Sequence, residues 1–165
     1  DNSVNAGAVV SKAHQEAILS YIRLAEEEGG RIVTGGKAVY PEGRCQNGYF
    51  VEPTIIEGLS ATCRVNQEEI FGPVITLIPF STEEEALNIA NSTEQGLSAT
   101  IWTQELKRAH RVAHQVEAGI IWINCWLLRH LRTPFGGMKS SGVGREGGKE
   151  ALKFFTEPKN VCIKM

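Results

Sequence analysis

The feature that most constrains this fold is a regular alternation of apolar runs and amphipathic segments between Val74 and Asn124. The apolar runs VITLIPF, LSATIW and GIIWIN are separated by STEEEALNIANS and QELKRAHRVAHQV, which have helical spacing. Strands and helices that alternate in this way form parallel sheets with helical crossovers. The continuous run VITLIPF is typical of a strand covered on both faces. We therefore predict an α/β fold in three layers, with a parallel sheet and helical crossovers.

Two further details follow from this pattern. Ser81 and Glu84 are spaced for a capping box at the start of the first of these helices. The second helix is expected to bury one apolar face, formed by Leu106, Ala109, Val112, Ala113 and Val116.

The first part of the chain has a simpler pattern. Residues 12–28 have the spacing of an amphipathic helix that ends at Gly29 and Gly30. A short strand is predicted at 32–34, and residues 49–56 form another extended run.

Length and composition set broad limits. The chain has 165 residues, 42% of them hydrophobic, with a net charge of -2, so one domain is expected. This balance gives no reason to expect nucleic acid or a membrane surface as a partner. No apolar stretch approaches the ~20 residues of a membrane span, and the first residues, DNSVNAGAVVSKAH, lack the pattern of a signal peptide.

The cysteines and histidines do not indicate a metal site. Four cysteines lie far apart and form no C-x-x-C: Cys45, Cys63, Cys125 and Cys162. Free thiols favour a reducing compartment, so a cytoplasmic protein is expected. His110 and His114 lie four apart, but HRVAH lacks the glutamate of H-E-x-x-H and is interpreted as a solvated helix face.

A long irregular segment, residues 125–148, contains glycines spaced as G-x-G-x-x-G: Gly142, Gly144 and Gly147. A dinucleotide-binding turn requires a strand directly before the first glycine, whereas TPFGGMKSS has the composition of a loop. The glycines are therefore interpreted as parts of a close-packed loop. Beyond them, residues 159–165 alternate as a strand that could pair with the sheet edge of a partner.

Four separated motifs resemble the aldehyde dehydrogenase superfamily, in their order and at their spacing: QEEIFGPV (67–74), GLSATIWT (96–103), GIIWINCW (119–126) and PFGGMKSSGVGREGG (134–148). The resemblance extends from about Ser11 to the end of the sequence. Within the superfamily, WLLRHLRTPFGG and the ending TEPKNVCIKM are most similar to the 2-aminomuconic and 2-hydroxymuconic semialdehyde dehydrogenases.

The resemblance implies a fold and an activity. Residues 1–157 would be the C-terminal part of the catalytic domain, and residues 158–165 the strand through which a homo-oligomer, a dimer or a tetramer, assembles. In this family a cysteine attacks the aldehyde, hydride passes to NAD, and water releases the acid from a thioester. The cysteine, the general base and the NAD-binding domain would lie upstream, so we expect the 165 residues alone to be inactive.

The same resemblance assigns Glu69 and Phe71 to the cofactor. The second glutamate of EEIFGP would accept hydrogen bonds from the hydroxyls of the nicotinamide ribose, for which a carboxylate has suitable oxygens. Phe71 would pack near the nicotinamide ring. A solvated acid at Glu69 and an ordinary core role for Phe71 remain as alternatives.

Glu146 in GREGG resembles the family glutamate that helps to order water or relay protons. It is also placed as an acid in the first turn of a helix, where the dipole favours it. Both roles stay open.

Arg129 and Arg132 lie in the loop that lines the aldehyde tunnel in the family, together with Trp126 and Phe135 as further candidates for substrate binding. A guanidinium suits the remote carboxylate of a muconic semialdehyde, and Arg129 matches the carboxylate-binding position better. A surface arginine paired with an acid is the alternative. Cys125, in WINCW, is interpreted as a buried thiol and not as the nucleophile.

Two other functions remain open. The chain could be an interaction module that associates through its last strand, or part of an aldehyde dehydrogenase for neutral aldehydes such as retinal.

Overall fold

The computed structural model describes residues 6–165, which form two compact units that divide between Ser81 and Thr82. The division therefore falls between the first and second residues of the segment STEEEALNIANS. The first five residues, which open the predicted domain 1–157, lie outside the described part.

The first unit combines one long helix with short strands. Its elements are α1 (Lys12–Glu27), β1 (Arg31–Thr34), β2 (Ala38–Val39), β3 (Phe50–Val51), β4 (Thr54–Glu57), α2 (Arg64–Gln67) and β5 (Val74–Leu77). Strand β4 lies between β1, to which it is antiparallel, and β5, to which it is parallel, while β2 and β3 form an antiparallel pair. The predicted helix is confirmed, and the predicted run at 49–56 is divided by Pro53, which has no N–H to donate to a ladder.

Helix α1 provides most of the apolar contacts in this unit. It begins at the N-cap Ser11, whose side chain accepts a hydrogen bond from the His14 N–H. Ile18 and Ile22 pack with Val51 in one buried cluster. A second cluster joins Ala25 to three residues that follow in the chain: Ile56, Leu59 and Val65.

The expectation that β5 is covered on both faces is wrong within this unit. Val74 packs against the buried clusters, but the side chains of Ile75 and Leu77 are 61% and 50% exposed. The difference arises because only the face of β5 that carries Val74 meets α1 and its neighbours.

The second unit contains a parallel strand pair with helices beside it. Its elements are α3 (Glu83–Asn91), β6 (Ser98–Ile101), α4 (Leu106–Gln115), β7 (Ile120–Ile123) and α5 (Gly148–Phe155), with a short 3-10 turn at Lys139–Ser141. Strands β6 and β7 are parallel and in register from Ser98 opposite Ile120 to Ile101 opposite Ile123. The α/β class is thus confirmed, and the ladders are more mixed than the expected parallel sheet because β1–β4 and β2–β3 are antiparallel.

Two predicted details of the helices are wrong. The N-cap of α3 is Thr82 and not Ser81, since the Thr82 hydroxyl accepts from the Glu85 N–H at 3.1 Å. In α4, Ala109 is buried, but Leu106 is 72% exposed because it is the first residue of the helix and projects from its first turn into solvent.

Polar contacts join α3, α4 and the loop after β7. Arg111 donates to both carboxylate oxygens of Glu83, at 2.6 and 2.7 Å. The Asn91 side chain donates to the Gln115 carbonyl and accepts from the Glu117 N–H. Lys139 donates to the Asn91 carbonyl, so the loop is attached to the end of α3.

The end of the chain forms neither helix nor strand after Phe155 in the described structure. Three apolar side chains of this tail are exposed: Val161, Ile163 and Met165. The predicted strand at 158–165 requires a second chain, so it stays a prediction. No helix within residues 6–165 is both long and apolar enough to cross a bilayer.

The start of β7 is set by a close approach of two backbone segments. A Cβ atom at Gly119 would lie 1.6 Å from the carbonyl oxygen of Gly136. We therefore expect Gly119→Ala to lower the free energy of unfolding by about 3 kcal/mol, since the loop has to move. Chemical denaturation measures this, with Gly7→Ala as the control because a Cβ there meets no atom within 4 Å. Equal stability of the two variants would contradict the packing described.

Candidate functional site

Glu69 and Phe71 lie in the turn between α2 and β5 of the first unit. Glu69 is exposed, and within residues 6–165 its carboxylate has no hydrogen-bond or ion-pair partner. The Phe71 side chain is 76% exposed. Both predicted cofactor residues therefore present their functional groups to the surroundings and not to the core of their unit.

The backbone of Phe71 adopts an uncommon conformation. Its φ is 53°, in the left-handed region that residues other than glycine seldom occupy. His14 Nε2 donates to the Phe71 carbonyl oxygen at 2.8 Å, and the two rings meet edge to face with centroids 5.9 Å apart. The contact from α1 thus supports the conformation that turns the Phe71 side chain outward.

Glu68, the neighbour of Glu69, has a structural role. Arg64 donates to its two carboxylate oxygens at 2.8 and 3.1 Å, and the Tyr21 hydroxyl donates to it at 2.7 Å. The hydrogen bonds from Arg64 and then Tyr21 lower the pKa of the Glu68 carboxyl from 4.5 to about 2. Of the two adjacent glutamates, one is therefore held in the fold and the other is open.

Helix α1 holds both ends of this turn. His14, Ile18 and Tyr21 share one face of the helix, because they are spaced by four and three residues. His14 contacts Phe71, Tyr21 contacts Glu68, and a Cβ at Gly72 would lie 2.7 Å from Ile18. Helical spacing alone does not reveal these contacts, since they join residues far apart in the chain.

A shallow pocket of about 260 Å³ adjoins the turn, with Asn66, Glu69, Phe71 and Thr76 among its lining residues. The Asn66 Oδ1 atom is buried without a hydrogen-bond partner. Asn66 has no motif that would have revealed it. The exposed carboxylate of Glu69 provides acceptors beside the Phe71 ring, which suits a hydroxyl-bearing ligand with a planar group.

In the second unit, hydrogen bonds hold the start of the loop after β7 in place. Asn124 and Thr103 exchange two hydrogen bonds, from the Thr103 N–H at 2.8 Å and to the Thr103 carbonyl at 2.7 Å. Trp122 is buried and its indole N–H donates to the Leu128 carbonyl at 2.8 Å. These contacts hold the backbone just before Arg129 and so determine the point from which the Arg129 side chain extends.

Three predicted site residues of this unit come together. The Arg129 guanidinium lies over the Phe135 ring, with Cζ 3.9 Å from the centroid, and its Nη2 is 3.4 Å from Glu146 Oε2. Phe135 and Glu146 are also joined through their backbones: each N–H donates to the other's carbonyl, at 2.9 and 2.6 Å. Arg129, Phe135 and Glu146 thus form one cluster, which we call the arginine cluster.

The other two candidates do not join the arginine cluster. Trp126 is 70% exposed, and Arg132 is exposed with its backbone N–H directed to His130 Nδ1. Neither side chain makes a hydrogen bond or ion pair to the cluster in the described structure. Their proposed contact with substrate stays a prediction.

The glycine-rich stretch packs closely, as its composition predicted. A Cβ at Gly136 would lie 2.6 Å from the Gly144 carbonyl oxygen, and one at Gly144 would lie 2.6 Å from the Phe154 ring. Arg145 donates to the Gly137 and Gly144 carbonyls at 2.8 and 2.6 Å. The glycines allow the chain to fold back from α5 to Phe135.

The cysteines and possible metal ligands add no second site. Cys125 is half-buried, and burial raises the pKa of the Cys63 thiol, which makes it a poor nucleophile. Within residues 6–165, no three His, Cys, Asp or Glu side chains are grouped to hold a metal ion.

Comparison with known proteins decides the family. A sequence profile of the aldehyde dehydrogenase family matches residues 1–161. The chain belongs to this family.

Two curated relatives and one solved structure illustrate the similarity. The chain is 51% identical over 165 residues to a 2-hydroxymuconic semialdehyde dehydrogenase of Pseudomonas sp. (strain CF600), covering 100% of the chain and 34% of the relative. It is 49% identical over 167 residues to a 2-aminomuconic semialdehyde dehydrogenase of Mus musculus, covering 99% of the chain and 34% of the relative. An indole-3-acetaldehyde dehydrogenase of P. syringae, solved with NAD+ and IAA, superposes with a TM-score of 0.91 at 41% identity, over 100% of the chain and 33% of that structure. The chain thus spans about a third of the length of the relatives it matches.

The contacts of Glu68 predict a dependence of stability on pH. Its folded-state pKa of about 2 is below the ordinary 4.5, so the ionised carboxylate stabilises the fold above about pH 4.5 and this contribution is lost as the pH falls toward 2. We expect Glu68→Gln to reduce stability at neutral pH and to flatten its fall between about pH 5 and pH 2. Urea denaturation across this range measures both effects.

Glu42→Gln is the matched control, because Glu42 is exposed and forms no ion pair within residues 6–165. If Glu68→Gln and Glu42→Gln followed the same pH profile as the unsubstituted protein, Glu68 would not hold the turn in solution.

Proposed function

We propose that this chain is the C-terminal part of the catalytic domain of an NAD-dependent aldehyde dehydrogenase. The enzyme would oxidise a semialdehyde with a remote carboxylate, of the 2-aminomuconic semialdehyde type, to the acid through a cysteine thioester. Support comes from the family membership and from the names of relatives that are about half identical to the chain.

The observation that carries the substrate class is the position of Arg129. Its guanidinium is stacked on Phe135 in a loop anchored by Trp122, so its N–H groups are aimed by packing before any ligand binds. A guanidinium offers a planar fork to a carboxylate, whereas a tunnel for retinal or aliphatic aldehydes would need apolar groups. Arg129 therefore supports a substrate with an acid group at its far end.

Glu69 and Phe71 would hold the cofactor. The free carboxylate of Glu69 can accept hydrogen bonds from a ribose diol, and the exposed ring of Phe71 can pack against a planar group beside it. NAD, when bound there, would supply the hydride acceptor for the oxidation. The contacts of α1 with Glu68 and Phe71, the residues on either side of this segment, would keep the Glu69 carboxylate in place.

Glu146 would order the water that releases the acid, because its exposed carboxylate can accept a proton or a hydrogen bond from water. None of the chain's four cysteines is proposed as the nucleophile, which would belong to another segment of the enzyme. The enzyme would act in the cytoplasm, a reducing compartment in which these four cysteines would stay free thiols.

The tail would contribute to a homo-oligomer. Val161 and Ile163 alternate in the sequence with Cys162 and Lys164 and are 68% and 81% exposed, as expected of a strand that pairs with another chain. The same exposure is the observation that favours the second candidate function, an interaction module.

The substrate class can be tested with Arg129→Ala in the complete enzyme. We expect kcat/KM for a carboxylated semialdehyde to fall roughly 10- to 100-fold, the effect of losing charge-assisted hydrogen bonds, with little change for a neutral aldehyde of the same length. Arg44→Ala is the control, since Arg44 is an exposed arginine with no ion pair in the described structure. An unchanged preference for the charged substrate in Arg129→Ala would remove the basis for a carboxylate clamp.

The cofactor residues can be tested separately. Glu69→Gln keeps the shape of the side chain but loses one charged acceptor, so we expect the Kd for NADH to rise roughly tenfold. The fluorescence of bound NADH reports this, and Glu42→Gln should leave it unchanged. Equal affinities in all three proteins would exclude Glu69 from the cofactor site.

A further inference from the structure

We propose that Glu146 and the remote carboxylate of the substrate compete for Arg129, so that Glu146 helps to set how tightly carboxylated substrates bind. The inference rests on the proposed function and adds to it a residue that determines specificity. It arises from the arginine cluster, in which the candidate clamp and the candidate water-ordering acid already contact each other.

The existing contact between the two charges is weak. Only one pair of atoms is involved, Arg129 Nη2 and Glu146 Oε2, and their separation of 3.4 Å exceeds the ~2.7–2.9 Å of a good charge-assisted hydrogen bond. The side chains of Arg129 and Glu146 are 41% and 73% exposed, so water screens the attraction. A partner of this kind is readily replaced.

The rest of the arginine cluster allows such a replacement without a rearrangement of the loop. The Phe135 ring covers one face of the guanidinium, which leaves the N–H groups at its edge available. In the described structure, the only side chain that receives a hydrogen bond from Arg129 is Glu146. Because the two hydrogen bonds between Phe135 and Glu146 join only backbone atoms, Arg129 can stay on the ring while its carboxylate partner changes.

Exchange is favoured by the geometry of the two contacts. A ligand carboxylate can bind the guanidinium through two parallel hydrogen bonds, whereas Glu146 makes a single long one. Two carboxylates close to the same guanidinium would repel each other. Binding of the ligand therefore displaces Glu146, and the displaced carboxylate becomes free for the water that it is proposed to order.

The test compares two ligands of equal length in the complete enzyme: muconate, which has a carboxylate at each end, and muconamide, in which both carboxylates are replaced by neutral amides. Titration calorimetry gives Kd for both. We expect Glu146→Gln to bind muconate about two- to fivefold more tightly, the scale of an exposed ion pair, and to bind muconamide as before.

A second variant separates contact from charge. Glu146→Asp keeps the negative charge but withdraws the carboxylate from Arg129. This variant should therefore also bind muconate more tightly than the unsubstituted enzyme does. Glu150→Gln removes a charge of the same sign that is paired with Lys153, and it leaves both affinities unchanged. If Glu146→Asp matched the unsubstituted enzyme, or if Glu150→Gln tightened muconate equally, the effect would be one of general charge and the competition would be rejected.

Combination with Arg129→Ala distinguishes failure of this inference from failure of the proposed function. In the Arg129→Ala background, Glu146→Gln should no longer affect muconate, and a persisting effect would overturn the competition. If Arg129→Ala weakens muconate while both Glu146 variants bind it normally, the clamp stands and only the competition fails. If Arg129→Ala leaves muconate binding unchanged, the clamp and the competition fail together.

Discussion

The candidate substrate site depends on the two backbone hydrogen bonds between Phe135 and Glu146. They close the loop that follows β7 and bring together residues from its first and last parts. Arg129 then finds both its aromatic support and its acidic partner on a single pair of residues. The glycines of this stretch are required because a Cβ at Gly136 or Gly144 would meet atoms already in place at 2.6 Å. A spacing that resembles a nucleotide-binding turn thus serves the shape of a loop.

In the first unit, a helix positions the candidate cofactor residues. Helix α1 contacts the turn at Glu68 through Tyr21 and at Phe71 through His14, while Glu69 between them stays unpaired within residues 6–165. The residues that position the turn, His14 and Tyr21, are therefore different from the residue that the turn exposes, Glu69. This division explains why two adjacent glutamates have different roles.

Local patterns were enough to predict much of the fold. Residues 12–28 and the alternation from Val74 to Asn124 have periodicities that depend only on neighbours in sequence. The exposure of Ile75 and Leu77 could not be predicted in this way, because it depends on what packs against β5. The N-cap at Thr82 was missed because Ser81 beside it offers the same hydroxyl.

The candidate site was predicted less completely. Resemblance to the family made Glu69, Phe71, Arg129 and Glu146 candidates, but it did not give the contacts that each of them makes within its own unit. Arg129 forms an ion pair with Glu146, and His14 and Tyr21 contact the turn that contains Glu69. These contacts join separate segments of the chain, and no local pattern encodes them. The unsatisfied Asn66 oxygen is likewise a property of the folded chain.

A crystal structure of the complete enzyme with muconate tests the central claim most directly. The account predicts that a carboxylate of the ligand lies within hydrogen-bonding distance of the Arg129 guanidinium, which stays stacked on Phe135, and that Glu146 has turned away. A ligand whose carboxylates both bind elsewhere, with Arg129 still paired to Glu146, would contradict it.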